Sequence, residues 1–374
     1  MNAVNKYSRF HWEEQRMKQY RVGIIGCGAR SVAHINGWRG VPGVDVVAVA
    51  DPIAERRNGV ADRFGILERY DGHEAMLASV HLDCISLATK PSVREIAIRS
   101  AVEHDVRGIL CEKPMAMSLP EYDRILAACR ERAVVFVANH QLRHLADWQH
   151  LARACAMGQL GTIERIEVTS YGNLLAQGTH LLDMLLQFAG DQPPEWVIAQ
   201  AVGWDDQAGH PAPELSVAHF RFPNGIVAYA LLGAAAPRLR VNSATWYRFQ
   251  LRVSGTAGHG EVNLFEGARI WTDGQSTWET WPDRWDNPAD LDRAQSALSE
   301  SVIRAIEDPT YQPPARGEIA RIGFEMLEAI CASAQNRAIV RWPLPRWTTS
   351  PLQSLRPGEA GEAEATAKTE VSCV

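Results

Sequence analysis

A chain of 374 residues, 46% hydrophobic and 22% charged, is long enough to bury a large core and is expected to divide into about two domains. Its formal net charge of -6 and the lack of any Lys/Arg run argue against a nucleic-acid partner. No uncharged apolar stretch is long enough to span a bilayer.

The seven cysteines are scattered, without metal-ligand spacing, which favours a reducing compartment over a disulfide framework. Lys6, Arg9, Glu13, Glu14, Arg16 and Lys18 interrupt the opening segment, so it lacks the apolar centre of a signal peptide. A cytoplasmic location is the expectation.

Residues 21–26 form a dense apolar run around Val22, Ile24 and Ile25, the character of a parallel strand covered on both faces. A helix is expected over Ser31–Arg39 and a strand over Val44–Ala50, after which Pro52 can open the next helix. Strands over 83–88, 106–111 and 134–138 then alternate with helices over 92–103 and 120–132. Such βαβ alternation predicts a parallel sheet with right-handed crossovers.

Beyond about residue 140 the pattern changes. A helix is expected over Leu145–Met157, with Leu145, Trp148, Leu151, Ala152 and Cys155 on one stripe. Alternation at period two follows, as in Ile166/Val168 and Leu251/Val253, and Asn224-Gly225 predicts a hairpin turn because both residues tolerate positive φ. Helices are expected over 286–308 and 316–333, and the Pro-, Gly-, Ala- and Glu-rich end reads as a flexible tail. The fold class is therefore α/β: a Rossmann-type parallel-sheet domain, then an α+β domain with a mainly antiparallel, open-faced sheet. The expected division is an extension over 1–20, the parallel-sheet domain over 21–140, the α+β domain over 141–347, and a tail over 348–374.

Gly26-Cys27-Gly28-Ala29-Arg30-Ser31 joins the first strand to its helix. Gly26 permits a tight turn, Gly28 permits close approach of a diphosphate, and the helix behind presents free amides and a positive dipole end. Ser31 stands where a third glycine or alanine is usual, and Asp51 closes the next strand about 20 residues further on. Asp51 can accept from both adenosine ribose hydroxyls and would repel a 2′-phosphate, which favours NAD over NADP. Arg56 and Arg57 keep that choice open, and a turn aspartate capping the next helix is the alternative role for Asp51.

These features, with Thr89-Lys90-Pro91 after the Ile85-Ser86-Leu87 strand, Glu112-Lys113-Pro114, Gly158-Gln159-Leu160-Gly161, Gly178-Thr179-His180-Leu181-Leu182-Asp183 and Gly255-Thr256-Ala257-Gly258, resemble the Gfo/Idh/MocA family of nicotinamide-dependent oxidoreductases over about residues 21–343. The resemblance implies cofactor contacts from Gly26, Gly28, Ala29, Arg30, Asp51, Thr89, Pro91, Glu112 and Lys113. It implies that Lys113 orients the reacting oxygen and stabilises its negative charge, and that His180 is the general base or acid. Asp183, three residues on, shares a helix face with His180 and reads as a structural partner or cap.

One departure stands out. Many redox members of the family read Asp-x-Gly-x-His, whereas this chain has Ala176-Gln177-Gly178-Thr179-His180. Alanine cannot bind a substrate hydroxyl or share a proton with Lys113 or His180. Gln177, Thr179 or Asn173 fills the role, the substrate carries a group there, or the chemistry has changed. After Asn139, which stands where the family commonly has asparagine, His140 and Gln141 replace the customary arginine character. The substrate-pocket candidates are thus Lys113, His140, Gln141, Asn173, Gln177, Thr179 and His180. His140 and His144 alone do not make a metal site, and none is assigned. Trp246, Tyr247, Trp278, Trp281 and Trp285 read as core or interface anchors ahead of substrate contacts.

The leading expectation is an NAD-dependent oxidoreductase acting on a secondary hydroxyl of a sugar, polyol, inositol or glycoside. Alternatives are a glycoside-cleaving enzyme that oxidises its substrate transiently, and a non-catalytic NAD-binding protein. A homodimer or homotetramer through the open sheet face is implied by the resemblance.

Overall fold

The computed structural model describes residues 19–357 apart from 208, 237, 242, 243, 248, 265, 276 and 282–287. The first half is built from β1 (Tyr20–Ile25), α1 (Ala29–Arg39), β2 (Val44–Ala50), α2 (Ala54–Phe64), β3 (Glu68–Tyr70), α3 (His73–Ser79), β4 (Cys84–Leu87), α4 (Arg94–Glu103), β5 (Gly108–Cys111), α5 (Leu119–Glu131) and β6 (Val135–Ala138). The six strands are ordered β3-β2-β1-β4-β5-β6 and every pair is parallel. Strand order reverses between β1 and β4, which opens a crevice at their carboxyl ends.

The second half contains α6 (Ala146–Ala156), β7 (Ile163–Ser170), α7 (Gly178–Ala189), β8 (Trp196–Val202), β9 (Asp205–Asp206), β10 (Pro211–Ala212), β11 (Leu215–Arg221), β12 (Val227–Gly233), β13 (Arg238–Val241), β14 (Ala244–Tyr247), β15 (Phe249–Gly255), β16 (Gly258–Asn263), β17 (Gly267–Thr272), β18 (Glu279–Trp281), α8 (Pro288–Glu307), α9 (Gly317–Asn336), β19 (Val340–Arg341) and α10 (Pro351–Ser354). Nine of these strands form one sheet, ordered β18-β17-β16-β15-β7-β12-β11-β8-β19. It is antiparallel throughout except for the β12–β7 pair. Period-two sequence gives it one buried face, with Ile166, Val168, Phe220, Ala228, Leu251 and Val253 in the core. Its other face is open: Ile198, Val217 and Tyr229 are 44%, 48% and 44% exposed.

Both faces of the parallel sheet are covered, as its dense apolar strands require. Ile85, Leu87, Ile109 and Cys111 pack with α4 and α5. Val22, Ile24, Val49 and Leu110 pack on the other side with Ile35 and Trp38 of α1 and with Leu298, Val302 and Ile303 of α8. Helix α8 thus comes from the second half of the chain yet completes the first sheet's core, which a linear division of the sequence does not show. A Cβ on Gly37 would lie 2.5 Å from Gln295 Cγ, so the glycine permits the close approach of α1 to α8.

Two further details differ from the sequence reading. Between β11 and β12 only Gly225 has positive φ (91°). Asn224 instead turns its amide to the Ala189 carbonyl (2.9 Å), and Phe222 N–H donates to Ile226 O (2.9 Å), so the connection is longer than a two-residue turn. The beginning of the expected tail is docked rather than loose. Glu328 of α9 accepts from Ser350 Oγ (2.6 Å) and Leu352 N–H (3.0 Å), and Leu352 is buried. The expected extension (1–18) and the rest of the tail (358–374) lie outside the described residues.

Candidate functional site

The glycine loop occupies the carboxyl end of β1, at the sheet's reversal point. Gly26 has φ +94°, and a Cβ there would sit 2.8 Å from Ala88 O, so both conformation and space demand glycine. Gly28 is different: a Cβ there would meet nothing within 4 Å. It is the N-cap of α1 and, having no side chain, offers no capping bond to the helix's first amides, of which Ser31 N–H turns to the Gly28 carbonyl (3.0 Å). No packing reason keeps Gly28 small, whereas a diphosphate lying against those amides would. The loop fits a dinucleotide.

Asp51 ends β2 beside this loop. Its Oδ2 accepts the Cys27 N–H (2.8 Å) and its Oδ1 the Ile53 N–H (2.8 Å), while Arg57 donates to its backbone oxygen (2.6 Å). The carboxylate therefore orders the phosphate loop and the start of α2 together. Each oxygen keeps a lone pair, so capping and ribose contact are compatible roles.

At the end of β5, Glu112 is a buried hub. Its Oε1 accepts from Arg30 Nε (2.7 Å) and Asn139 Nδ2 (2.9 Å), and lies 3.2 Å from His34 Nε2. Burial pushes this carboxyl up, but Arg30, His34 and Lys113 outweigh it and hold it well below the usual carboxylate range. Arg94, 2% exposed, bonds three carbonyls, those of Thr89, Glu112 and Pro114. It straps the Thr89-Lys90-Pro91 turn to the Glu112-Lys113-Pro114 turn. Thr89 Oγ1 is buried beside it without a partner.

Lys113 extends from this strand end to the Ala176 carbonyl, to which its ammonium donates. Burial, reinforced by Arg30 and Arg94 and opposed by Glu112, lowers its pKa to about 8. His180, in the first turn of α7, is buried, and burial together with Lys113 and His140 pushes its pKa well below the usual imidazole range. It is neutral at pH 7. His140 follows β6, with its ring centroid 5.6 Å from that of His180 and nearly perpendicular to it. Nδ1 of both imidazoles is buried without a hydrogen-bond partner.

Beneath these rings Arg143 is fully buried. It bonds Asp183 through Nε (2.7 Å to Oδ2) and Nη2 (2.9 Å to the backbone oxygen), Asp191 Oδ1 (2.9 Å) and the Pro314 carbonyl (3.1 Å). Asp183 is therefore the internal partner of Arg143, with His140 Nδ1 at 3.9 Å. The network ties α7 to the segment after β6 and fixes the two histidines relative to each other.

The other pocket candidates divide. Asn173 is fully buried, and its side chain bonds the Ala176 N–H (2.7 Å) and the carbonyls of His210 (2.7 Å) and Asp205 (3.1 Å), so it shapes the loop from beneath and does not line the cleft. Thr179 Oγ1 turns back to the Leu175 carbonyl (3.3 Å). Gln177 and Gln141 are half-buried, and Gln141 Oε1 has no partner. Sequence reasoning did not identify His34, Arg94, Arg143 or His210. The last lies half-buried on the β9–β10 hairpin, with its Nδ1 3.1 Å from Gln207 O. Burial, then Lys113 and Arg94, lowers its pKa, which places it in the field of the same cleft. Among the tryptophans, Trp281 stacks on His150 (5.3 Å) and Trp278 meets His259 edge-on (4.8 Å), both packing roles. The side chains of Trp246 and Tyr247, and all of Trp285, lie outside the described residues.

The fold and loop are of the Rossmann type that binds NAD(P), and residues 20–140 match the model of the GFO_IDH_MocA oxidoreductase family, NAD-binding Rossmann fold. The match covers the first, parallel-sheet part of the chain. The chain is 31% identical to a D-apiose dehydrogenase of Paraburkholderia graminis over 146 residues, which span 39% of each chain. Identity to a myo-inositol 2-dehydrogenase of Thermotoga maritima is 20%, over 55% of this chain and 66% of that one. Sequence similarity to the D-apiose dehydrogenase thus covers about two-fifths of its length. The fold extends further. An oxidoreductase from Agrobacterium radiobacter, solved with NAD+, L-tartaric acid and magnesium, superposes with TM-score 0.75 at 18% identity, over 87% of this chain and 98% of that one. The WlbA dehydrogenase from Bordetella pertussis, solved with NADH and UDP-GlcNAcA, gives TM-score 0.71 at 19% identity, over 88% and 99%.

Proposed function

We propose that this protein is an NAD-dependent oxidoreductase that moves a hydride between nicotinamide and a secondary alcohol or ketone of a sugar, polyol or glycoside. The observation that carries the reading is that Lys113, just beyond the carboxyl end of β5, donates its ammonium to the Ala176 carbonyl, immediately before the first turn of α7 that carries His180. Bound NAD supplies the hydride acceptor. In oxidation, neutral His180 takes the hydroxyl proton, while the Lys113 ammonium donates a hydrogen bond to the same oxygen as negative charge grows on it. Reduction reverses these transfers, with His180 returning the proton. Asp51 supports NAD over NADP, because its carboxylate opposes a 2′-phosphate.

The test is a panel of sugars, inositols and glycosides with NAD+ or NADP+, following both nicotinamide absorbance and product mass. Net NADH with an oxidised product is expected. A cleaved glycoside without net NADH would favour a transient oxidation–elimination cycle instead, for which the absence of a carboxylate at Ala176 gives some support. The exposed Ile198, Val217 and Tyr229 support a homodimer or homotetramer through the open sheet face. Sedimentation equilibrium checks this, and a monomer at micromolar protein would count against it.

A further inference from the structure

Two side chains of the phosphate-loop helix meet on one oxygen. Arg30 and His34 stand four residues apart on α1 and so share a helix face. Both reach Glu112 Oε1: Arg30 Nε donates at 2.7 Å, and His34 Nε2 lies at 3.2 Å. The grip extends further. His34 Nδ1 is 2.5 Å from Ser86 Oγ in β4, Asn139 Nδ2 donates to the same Glu112 oxygen (2.9 Å), and Gln295 Nε2 of α8 donates to Asn139 Oδ1 (2.7 Å). His34, Ser86, Asn139 and Gln295 are all buried. The other carboxylate oxygen, Oε2, accepts the backbone N–H of Lys113 (3.2 Å). Accepting from these donors needs an oxygen, not a charge, and burying a charge is costly.

Resting on the oxidoreductase reading, we propose that Glu112 is a positioning residue: pinned by Arg30 and His34, its carboxylate keeps the adjacent Lys113 charged and set against the phosphate-loop helix. The groups around the lysine sort by sign. Burial, Arg30 and Arg94 act against its ammonium, and Glu112 acts for it. His140, His180 and His210 all lie below the usual imidazole range, so they are neutral where the lysine titrates. Asp183 and Asp191 are engaged by Arg143 (2.7 and 2.9 Å). Removing a carboxylate beside an ammonium disfavours the charged form, and removing a cation favours it.

The experiment labels the full chain with acetic anhydride over a range of pH and reads acetylation at Lys113 by mass spectrometry, with Lys6, Lys18, Lys90 and Lys368 as references. Only the free amine is acetylated, so the midpoint reports the ammonium. The parent midpoint should be about 8. Glu112→Gln should lower it by about one unit or more, the effect of losing a close opposite charge, and the alkaline limit of turnover should fall with it. Glu112→Asp keeps the charge and should stay nearer the parent. Arg30→Met, at a half-exposed position, should raise the midpoint, because it leaves the carboxylate to the lysine. A Glu112→Gln protein that melts lower yet titrates at the parent midpoint would overturn the proposal and leave the oxidoreductase reading intact. If Glu112→Gln does not fold, a raised midpoint in Arg30→Met supports the proposal and an unmoved one overturns it. If no substrate is turned over, the oxidoreductase reading fails, and the same midpoints still decide the role of Glu112.

Discussion

Lys113→Ala is expected to lower kcat about 10²- to 10³-fold, the cost of removing one donor aimed at developing negative charge. His180→Ala should cost about 10²- to 10⁴-fold as a lost acid–base group, and the double variant should lose less than the product because both act on one oxygen. The pH dependence identifies the working form of the lysine. Burial lowers its pKa to about 8, and the ammonium is the form that stabilises the oxygen. Oxidation should therefore weaken as pH rises through about 8, and this alkaline limb should vanish in Lys113→Ala. His180 lies well below the ordinary imidazole range, so it stays neutral and imposes no loss near pH 6.5. A rate that instead climbs through about 8 would make Lys113 the base and displace His180 from that role.

Arg143→Met should be the most destabilising of the substitutions considered. It strands Asp183, which is 1% exposed, and removes the bonds to Asp191 and Pro314. Breaking a buried pair on one side costs about 3–5 kcal/mol, a fall in Tm on the order of 10 °C for a chain of this size. Arg143→Met with Asp183→Asn should recover part of the loss, because the uncompensated charge goes too. Arg143→Lys should not recover it, since an ammonium cannot span two carboxylates and a carbonyl at once. Activity should fall with stability, as the network orders the segments that carry His140 and His180. Thermal unfolding within about 1 kcal/mol of the parent would show that the network is dispensable.

What was legible in the sequence was what depends on neighbours along the chain. Val44–Ala50 is a strand as its apolar run implies, and the expected Leu145–Met157 helix differs from α6 by a residue at each end. The short β3 and α3 were not distinguished, since Glu68–Tyr70 and His73–Ser79 carry too few residues for a clear period. In the site, the glycine loop, Lys113 and His180 belong to local motifs and could be named. His34, Arg94 and Arg143 could not, because their partners are remote: His34 meets Glu112 across 78 positions and Arg143 meets Asp183 across 40. Asn173 was a reasonable pocket candidate by type, yet its amide is engaged by the β9–β10 hairpin, a contact no spacing announces. Asp51 could be named from its place at the end of β2, and its carboxylate accepts the Cys27 and Ile53 N–H groups.

The account rests on a dinucleotide diphosphate lying against the α1 amides at Gly28. Calorimetric titration of the purified, cofactor-free chain with NAD+ and NADH tests this directly, beside Gly28→Val, whose Cβ would enter the same open space with nothing within 4 Å. The parent should bind at one site per chain, and the folded variant should lose that binding. A correctly folded parent that binds neither nucleotide, or a Gly28→Val protein that binds them unchanged, would contradict it.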